Sequence, residues 1–406
     1  MSMYKTYRAK WAMIDPEIWV QNASLTIDPM GTIIHCGSSS NPSAIDLGDG
    51  VMMPALINAH THLELSALKN QLPMNMGFTS WVQHLIETRA CTPTETLIQG
   101  AQDACEKLWK LGTCAVGEIS SLGLTQNIFF NSGLYGCWFQ EYLGNEIIPL
   151  NTHLSDPQTN CFISLAGHAP HTTSPNLLKH LKQASTNKPF SIHVAESDVE
   201  MTFITQASGS WADFLTSRGV DYSQWGLPQL SPVRHLERIG LLDHNTLLVH
   251  LLNIDKHDLT IVKKYHCPVC ICPRSNVNLH QRLPNVNQMI DSGLTVCLGT
   301  DSLASVASLS IWDEMKYLAT HCPNISPTQI LAMATTSGAR ALGIDNQLGR
   351  LAAGYNSVFL FVPVDGNSPE TIASQLVYGG AEMVNHLQLP GKPFFSKLSR
   401  NRFQLL

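Results

Sequence analysis

The chain is poor in charge. Asp, Glu, Lys and Arg make up 14% of its 406 residues, and acids outnumber bases to leave a formal net charge of −6. A nucleic-acid binder needs a broad electropositive face, and this composition gives no surplus to build one. Long apolar runs are missing too. None approaches the roughly 20 residues of a membrane span, and the opening MSMYKTYRAKWAMID carries no signal-peptide apolar core. Cysteine is present 11 times, but the count is odd and the spacings show no disulfide framework. The expectation is a cytoplasmic protein with reduced thiols and neither a nucleic-acid nor a membrane partner. No internal repeat or low-complexity tract is visible, and an apolar share of 44% fits a folded chain.

What is there is alternation. The first 50 residues read as β-rich, with IWVQNASLTI and GTIIHCG as short strands between turn residues. From residue 51 onward, eight apolar runs alternate with helical stretches: VMMPALIN, TCAVGEI, LYGCWFQEY, CFISLAGH, FSIHVAE, TLLVH, VCIC and TVCLGTD. One intervening helix, TETLIQGAQDACEKLWKLG, repeats Ile98, Ala101, Cys105 and Leu108 at spacings of three and four, with Gly112 to end it. Strand–helix alternation implies a parallel sheet, and eight units imply an α/β fold of the (β/α)₈ TIM-like barrel type. LGRLAAGYNSVFLFVP then reads as a turn and a strand. The expected architecture is a barrel over residues 51–345 and a small composite β-sandwich domain from residues 1–50 and 346–406.

The ends of these runs carry chemistry. The first ends in His60 and His62, the fourth in His168, the fifth in His193 and Glu196, the sixth in His250 and the eighth in Asp301. Barrel enzymes draw their catalytic side chains from the C-terminal ends of different strands. Residues two apart on a strand point the same way, so His60 and His62 can face one ion, and by the same parity Glu64 is aimed at the mouth. Imidazole with one carboxylate suits Zn²⁺ or Fe²⁺. Any single histidine of the 17 would belong to the surface or the core. HxH, HVAE, LVH and GTD, each at a strand end and in that order, form a constellation that chance does not readily produce.

PALINAHTH, HVAE, LLVH, ICPRSN and GTDSLAS resemble the amidohydrolase superfamily in its nucleoside- and cytosine-deaminase-like branch. YRAKWAM, HLELS, FTSWVQHLIETR and CPRSN followed by GTDSLAS are similar to the aminodeoxyfutalosine deaminases. Those convert 6-amino-6-deoxyfutalosine to futalosine and ammonia on the futalosine route to menaquinone. The resemblance implies His60, His62, His193 and Asp301 as metal ligands, Glu196 as proton shuttle and His250 at the attacking water or the oxyanion. It implies Trp81 and His168 as substrate contacts. Glu64 is a further substrate contact or a structural support, and Arg89 or Arg274 would receive a substrate carboxylate. It further implies a small-molecule nucleoside substrate and a homodimer. With no lysine beside His168, one metal is expected, Zn²⁺ first and Fe²⁺ second.

The sequence departs from the family pattern at Ala55, where glycine is usual, and at Asn356-Ser357, where Asp-Ala-Asp is common. Neither departure touches the metal set. The rival substrates are S-adenosylhomocysteine, methylthioadenosine, adenosine, guanine and chlorotriazines. A barrel without metal, serving as a scaffold, is the rival of another class, and the intact ligand set argues against it. A cytidine-deaminase-type site at His62-Leu63-Glu64 and Cys267–Cys270 is disfavoured, because His266 stands where that signature has proline.

Overall fold

The computed structural model describes residues 4–38, 41–147 and 161–379 and the strands His386–Gln388 and Phe395–Ser396. The rest of segment 346–406 lies outside the described residues. Eight parallel strands form the barrel: β1 (Leu56–Thr61), β2 (Thr113–Ser120), β3 (Tyr135–Tyr142), β4 (Cys161–Gly167), β5 (Phe190–Val194), β6 (Thr246–His250), β7 (Val269–Ile271) and β8 (Val296–Leu298). They follow one another in chain order, as helix-connected parallel strands do. Every residue of β1, β2, β5, β6, β7 and β8 is buried, because helices cover the outside and side chains fill the inside.

The barrel closes where β8 meets β1. Thr300 and Asp301 both donate their amides to the His60 carbonyl, and Asn58 Nδ2 donates to Thr300 Oγ1 at 2.7 Å. Gly299 makes this approach feasible: a Cβ there would sit 2.9 Å from the His60 Cβ and carbonyl oxygen. The closure brings two chemistry-bearing segments side by side. The expected helix spans Thr94–Lys110 and buries Leu97, Ala101, Ala104, Cys105 and Leu108, with Ile98 only half-buried.

A separate eight-stranded sheet forms the small domain. Lys5–Asp15 pairs with Ile18–Ile27, which pairs with Ile33–Ser38. On its other side Lys5–Asp15 meets Val51–Pro54, which pairs antiparallel with Phe359–Val362. The run VMMPALIN is therefore not one barrel strand. It breaks at Ala55, with Val51–Pro54 in the small sheet and Leu56–Thr61 in the barrel. Continuous hydrophobicity hides the break, since both strands are fully buried. No described helix is long and apolar enough to cross a membrane.

Candidate active site

Four strand ends converge. The Nε2 atoms of His60 and His62 lie 3.2 Å apart, and His193 Nε2 lies 3.1 Å from His60 Nε2. Asp301 Oδ1 stands 3.6 Å from His62 Nε2 and 4.0 Å from His60 Nε2. Three buried imidazole nitrogens turned on one another cannot all be satisfied by sharing protons. A metal between them would satisfy all three, since tetrahedral bonds of 2.0–2.1 Å place nitrogens about 3.3 Å apart. Burial, then the charges of neighbouring imidazoles, holds His60 and His193 far below the ordinary histidine range. Both are thus neutral at pH 7, the form that offers a lone pair to a metal. The donor set fits a divalent cation.

The carboxylates are held from outside. Asp301 Oδ2 accepts from Ser275 Oγ at 2.6 Å and Ser305 Oγ at 2.8 Å, which leaves Oδ1 toward the imidazoles. Glu196 Oε1 lies 3.2 Å from His280 Nε2 and 3.7 Å from His250 Nε2. Burial pushes the Glu196 carboxyl up, but His250 and His280 together outweigh it and hold it well below the usual carboxylate range. Glu196 therefore rests ionised. His250 Nδ1 sits 3.0 Å from Asn276 Nδ2. With that amide donating, Nδ1 accepts and the proton is on Nε2, the nitrogen nearer Glu196.

The backbone is strained at the same places. Ala195, His250, Leu251 and Asp301 have φ of 53°, 80°, 49° and 61°. Left-handed conformations cost a non-glycine residue about 1–2 kcal/mol each. Glu200 holds one of these turns, accepting from the Ala195 amide at 3.0 Å and the Glu196 amide at 2.7 Å. The kink swings Glu196 off the strand direction toward His250.

Above this floor lies a cavity of about 320 Å³. His62, His168, His193, Glu196, His250 and Asp301 line its base. Its walls are apolar and aromatic, chiefly Phe78, Trp81, Leu85, Trp211 and Phe214. Phe78 stacks with Trp81 and with Trp211, each at 6.3 Å between centroids. Arg89 and Arg218 also line it, and Arg218 lies 5.3 Å from the Phe214 ring. Trp81 Nε1 and both ring nitrogens of His171 are buried without hydrogen-bond partners along this lining.

Of the residues singled out in the sequence, His60, His62, His193, Glu196, His250 and Asp301 come together, and Trp81, His168 and Arg89 line the cavity. Glu64 and Arg274 do not line it. The Glu64 carboxylate accepts from Ser120 Oγ and from the Ser121 and Leu122 amides. Alternation fails for it because β1 ends at Thr61 and residues 63–68 form a 3₁₀ turn. The Arg274 guanidinium is occupied by Glu314 Oε1, Ser308 Oγ and the Ser308 carbonyl. Sequence reasoning missed Glu141, His171, Arg218, Glu200 and His280. Glu141, one residue before the end of β3, could have been found by the strand-end rule applied to the others. The 11 cysteines are free thiols, and Cys267 and Cys270 are buried away from the cavity lining.

A family model described as the amidohydrolase family matches residues 154–384. The 5-methylthioadenosine/S-adenosylhomocysteine deaminase of Syntrophobacter fumaroxidans is 27% identical over 380 residues, covering 86% of this chain and 81% of that enzyme. The aminodeoxyfutalosine deaminase of Deinococcus radiodurans is 27% identical over 322 residues, covering 74% and 75%. The crystal structure of Helicobacter pylori aminofutalosine deaminase in complex with methylthio-coformycin superposes with a TM-score of 0.81 at 21% identity, over 96% of this chain and 99% of that one.

Proposed function

The chain belongs to the amidohydrolase family, and within it we propose that it hydrolytically deaminates an adenine nucleoside, 6-amino-6-deoxyfutalosine, to futalosine and ammonia. The observation that carries the reading is the convergence of His60, His62, His193 and Asp301 on one point, with Glu196 and His250 beside them. Those first four side chains would hold one divalent ion, Zn²⁺ by their nitrogen-rich donor set. When bound, such an ion lowers the pKa of a water from 15.7 to about 7.

The protein supplies the proton transfers and the positioning. Glu196 rests ionised, so the proton it delivers to the ring nitrogen must come from the attacking water. Protonating that nitrogen makes the adjacent carbon electrophilic, and the water oxygen bonds to it. His250 Nε2–H donates to that oxygen as negative charge gathers there. Asp301 Oδ1 takes the second proton of the water and passes it to the departing amine. The carbon–nitrogen bond breaks and ammonia leaves. One proton stays on the ring nitrogen of the product, so atoms and charges balance. His168 and Glu141, at two further strand ends on the cavity lining, supply polar partners for the ribose hydroxyls.

The wall supports the substrate assignment. An aromatic sleeve suits a nucleoside with an apolar extension, and Arg89 and Arg218 suit a carboxylate at its end. Neither guanidinium has an ion-pair partner among the described residues. Deamination of S-adenosylhomocysteine or methylthioadenosine is the second reading, favoured by the Syntrophobacter relative. Ammonia release measured with aminodeoxyfutalosine, S-adenosylhomocysteine, methylthioadenosine, adenosine and guanine tests both. The highest kcat/KM is expected for aminodeoxyfutalosine. Preference for another of these would replace the substrate, and release from none would remove the reaction.

A further inference from the structure

Resting on the deaminase reading, we propose that His280 is the positioning residue of the proton shuttle: it pins one oxygen of Glu196 so that the other alone faces the chemistry. A carboxylate that moves a proton between water and a ring nitrogen has two equivalent oxygens and a free torsion. Left alone, it would spend much of its time misaligned. In this structure both imidazoles that approach Glu196 do so at Oε1, His280 at 3.2 Å and His250 at 3.7 Å. Oε2 has no protein partner among the described residues, and Glu196 lines the cavity. The two oxygens therefore have separate tasks. Oε1 is the anchor and Oε2 carries the proton.

His280 is built for anchoring. It ends the helix Pro273–His280, whose start carries Ser275 and Asn276, the partners of Asp301 and His250. One short helix thus steadies three separate side chains of the site. The His280 side chain is only 6% exposed, and the Phe78 ring lies over it at 5.1 Å. Shielding from water strengthens a hydrogen bond to an ionised acceptor and slows its exchange for solvent. Phe78 also stacks on Trp81 and Trp211, so the aromatic wall that would embrace substrate covers the anchor of the shuttle. His280 does not itself line the cavity. It acts through Glu196 rather than on the substrate.

The test uses metal-replete enzyme. His280→Ala is expected to lower kcat about 10- to 100-fold, the range for removing a partner that orients a catalytic group. KM and metal content should stay at the parent values. His280→Gln, which restores an N–H donor at similar reach, should recover most of the loss. Unchanged kcat in His280→Ala overturns the proposal. So does a parallel rise in KM, loss of metal, or equal impairment in the glutamine variant. If His280→Ala does not fold, the glutamine variant alone must keep near-parental kcat. The hydrogen bond also has a readout free of turnover. The His280 ring-nitrogen resonances should move in Glu196→Ala, and static resonances overturn the proposal. That measurement separates its failure from failure of the deaminase reading, which would show as no ammonia from parent enzyme with any nucleoside.

Discussion

The base of the cavity and its wall are built by different rules. The base is made of strand ends: His62, His168, His193, Glu196, His250 and Asp301 all lie at or within three residues of a barrel strand's C-terminus, and His60, one residue before the end of β1, lies buried against His62 and His193. Its geometry is inherited from the closed sheet and fixed by backbone hydrogen bonds such as those from Thr300 and Asp301 to the His60 carbonyl. The wall is made of helix faces. Phe78, Trp81, Leu85 and Arg89 belong to the helix Phe78–Cys91, and Trp211, Phe214 and Leu215 to the helix Ser210–Ser217. Their positions depend on how two helices dock over the mouth. On the proposed deaminase reading, the reaction type would be anchored in the sheet and the substrate choice in the two helices over the mouth. Damage to the base should abolish turnover on every substrate, whereas damage to the wall should reorder substrates.

The largest effect expected is metal removal. Chelation should cost several kcal/mol of transition-state stabilisation, about 10³-fold or more in rate, with recovery on adding Zn²⁺. Undiminished activity in chelated protein, checked by elemental analysis, would break the account of the base. Next comes Glu196→Gln. Loss of general acid–base catalysis predicts a fall in kcat of about 10²–10⁴-fold with metal content retained. Full turnover would take Glu196 out of the proton path. Smaller again is the pair of hydroxyls behind Asp301. Ser275→Ala and Ser305→Ala should each cost about 10-fold, and up to 100-fold together, because Oδ1 loses its fixed aim. All three changes should fall equally on every nucleoside.

The wall is probed by the arginines. Arg89→Ala and Arg218→Ala should lower kcat/KM for a carboxylate-bearing nucleoside by about 10-fold each, as expected for a partly exposed charge-assisted hydrogen bond. Adenosine turnover should barely change. Equal losses on both substrates would erase the distinction between base and wall.

The two regions also differ in how far they can be read from sequence. Strand ends are legible because period-two alternation and the barrel's polarity together fix where His60, His62 and His193 point. Helix faces are not. Arg89 and Arg274 are the same residue type, each on a helix, yet one lines the cavity and the other is consumed by Glu314 and Ser308. Nothing local distinguishes them, because the captor Glu314 is 40 residues away in the chain. Arg218 was invisible for the same reason. The split of VMMPALIN at Ala55 was hidden because burial on both faces removes the pattern that marks a boundary.

Glu64 belongs to neither region, being buried off the cavity lining, and its variant has the smallest expected effect. Alternation aims it at the substrate, but the chain leaves strand geometry after Thr61 and turns the carboxylate inward. There it ties the segment after β1 to the segment after β2 through Ser120, Ser121 and Leu122. In Glu64→Gln one oxygen remains to accept the two amides, while the new NH₂ faces Ser120 Oγ, which can rotate to accept. The loss is then about 1 kcal/mol, the difference between a charged and a neutral acceptor. A fall in Tm of about 2 °C should follow, with KM for every nucleoside unchanged. A raised KM at unaltered Tm would mean that Glu64 touches the ribose, and that the base reaches further up the cavity than its strand ends.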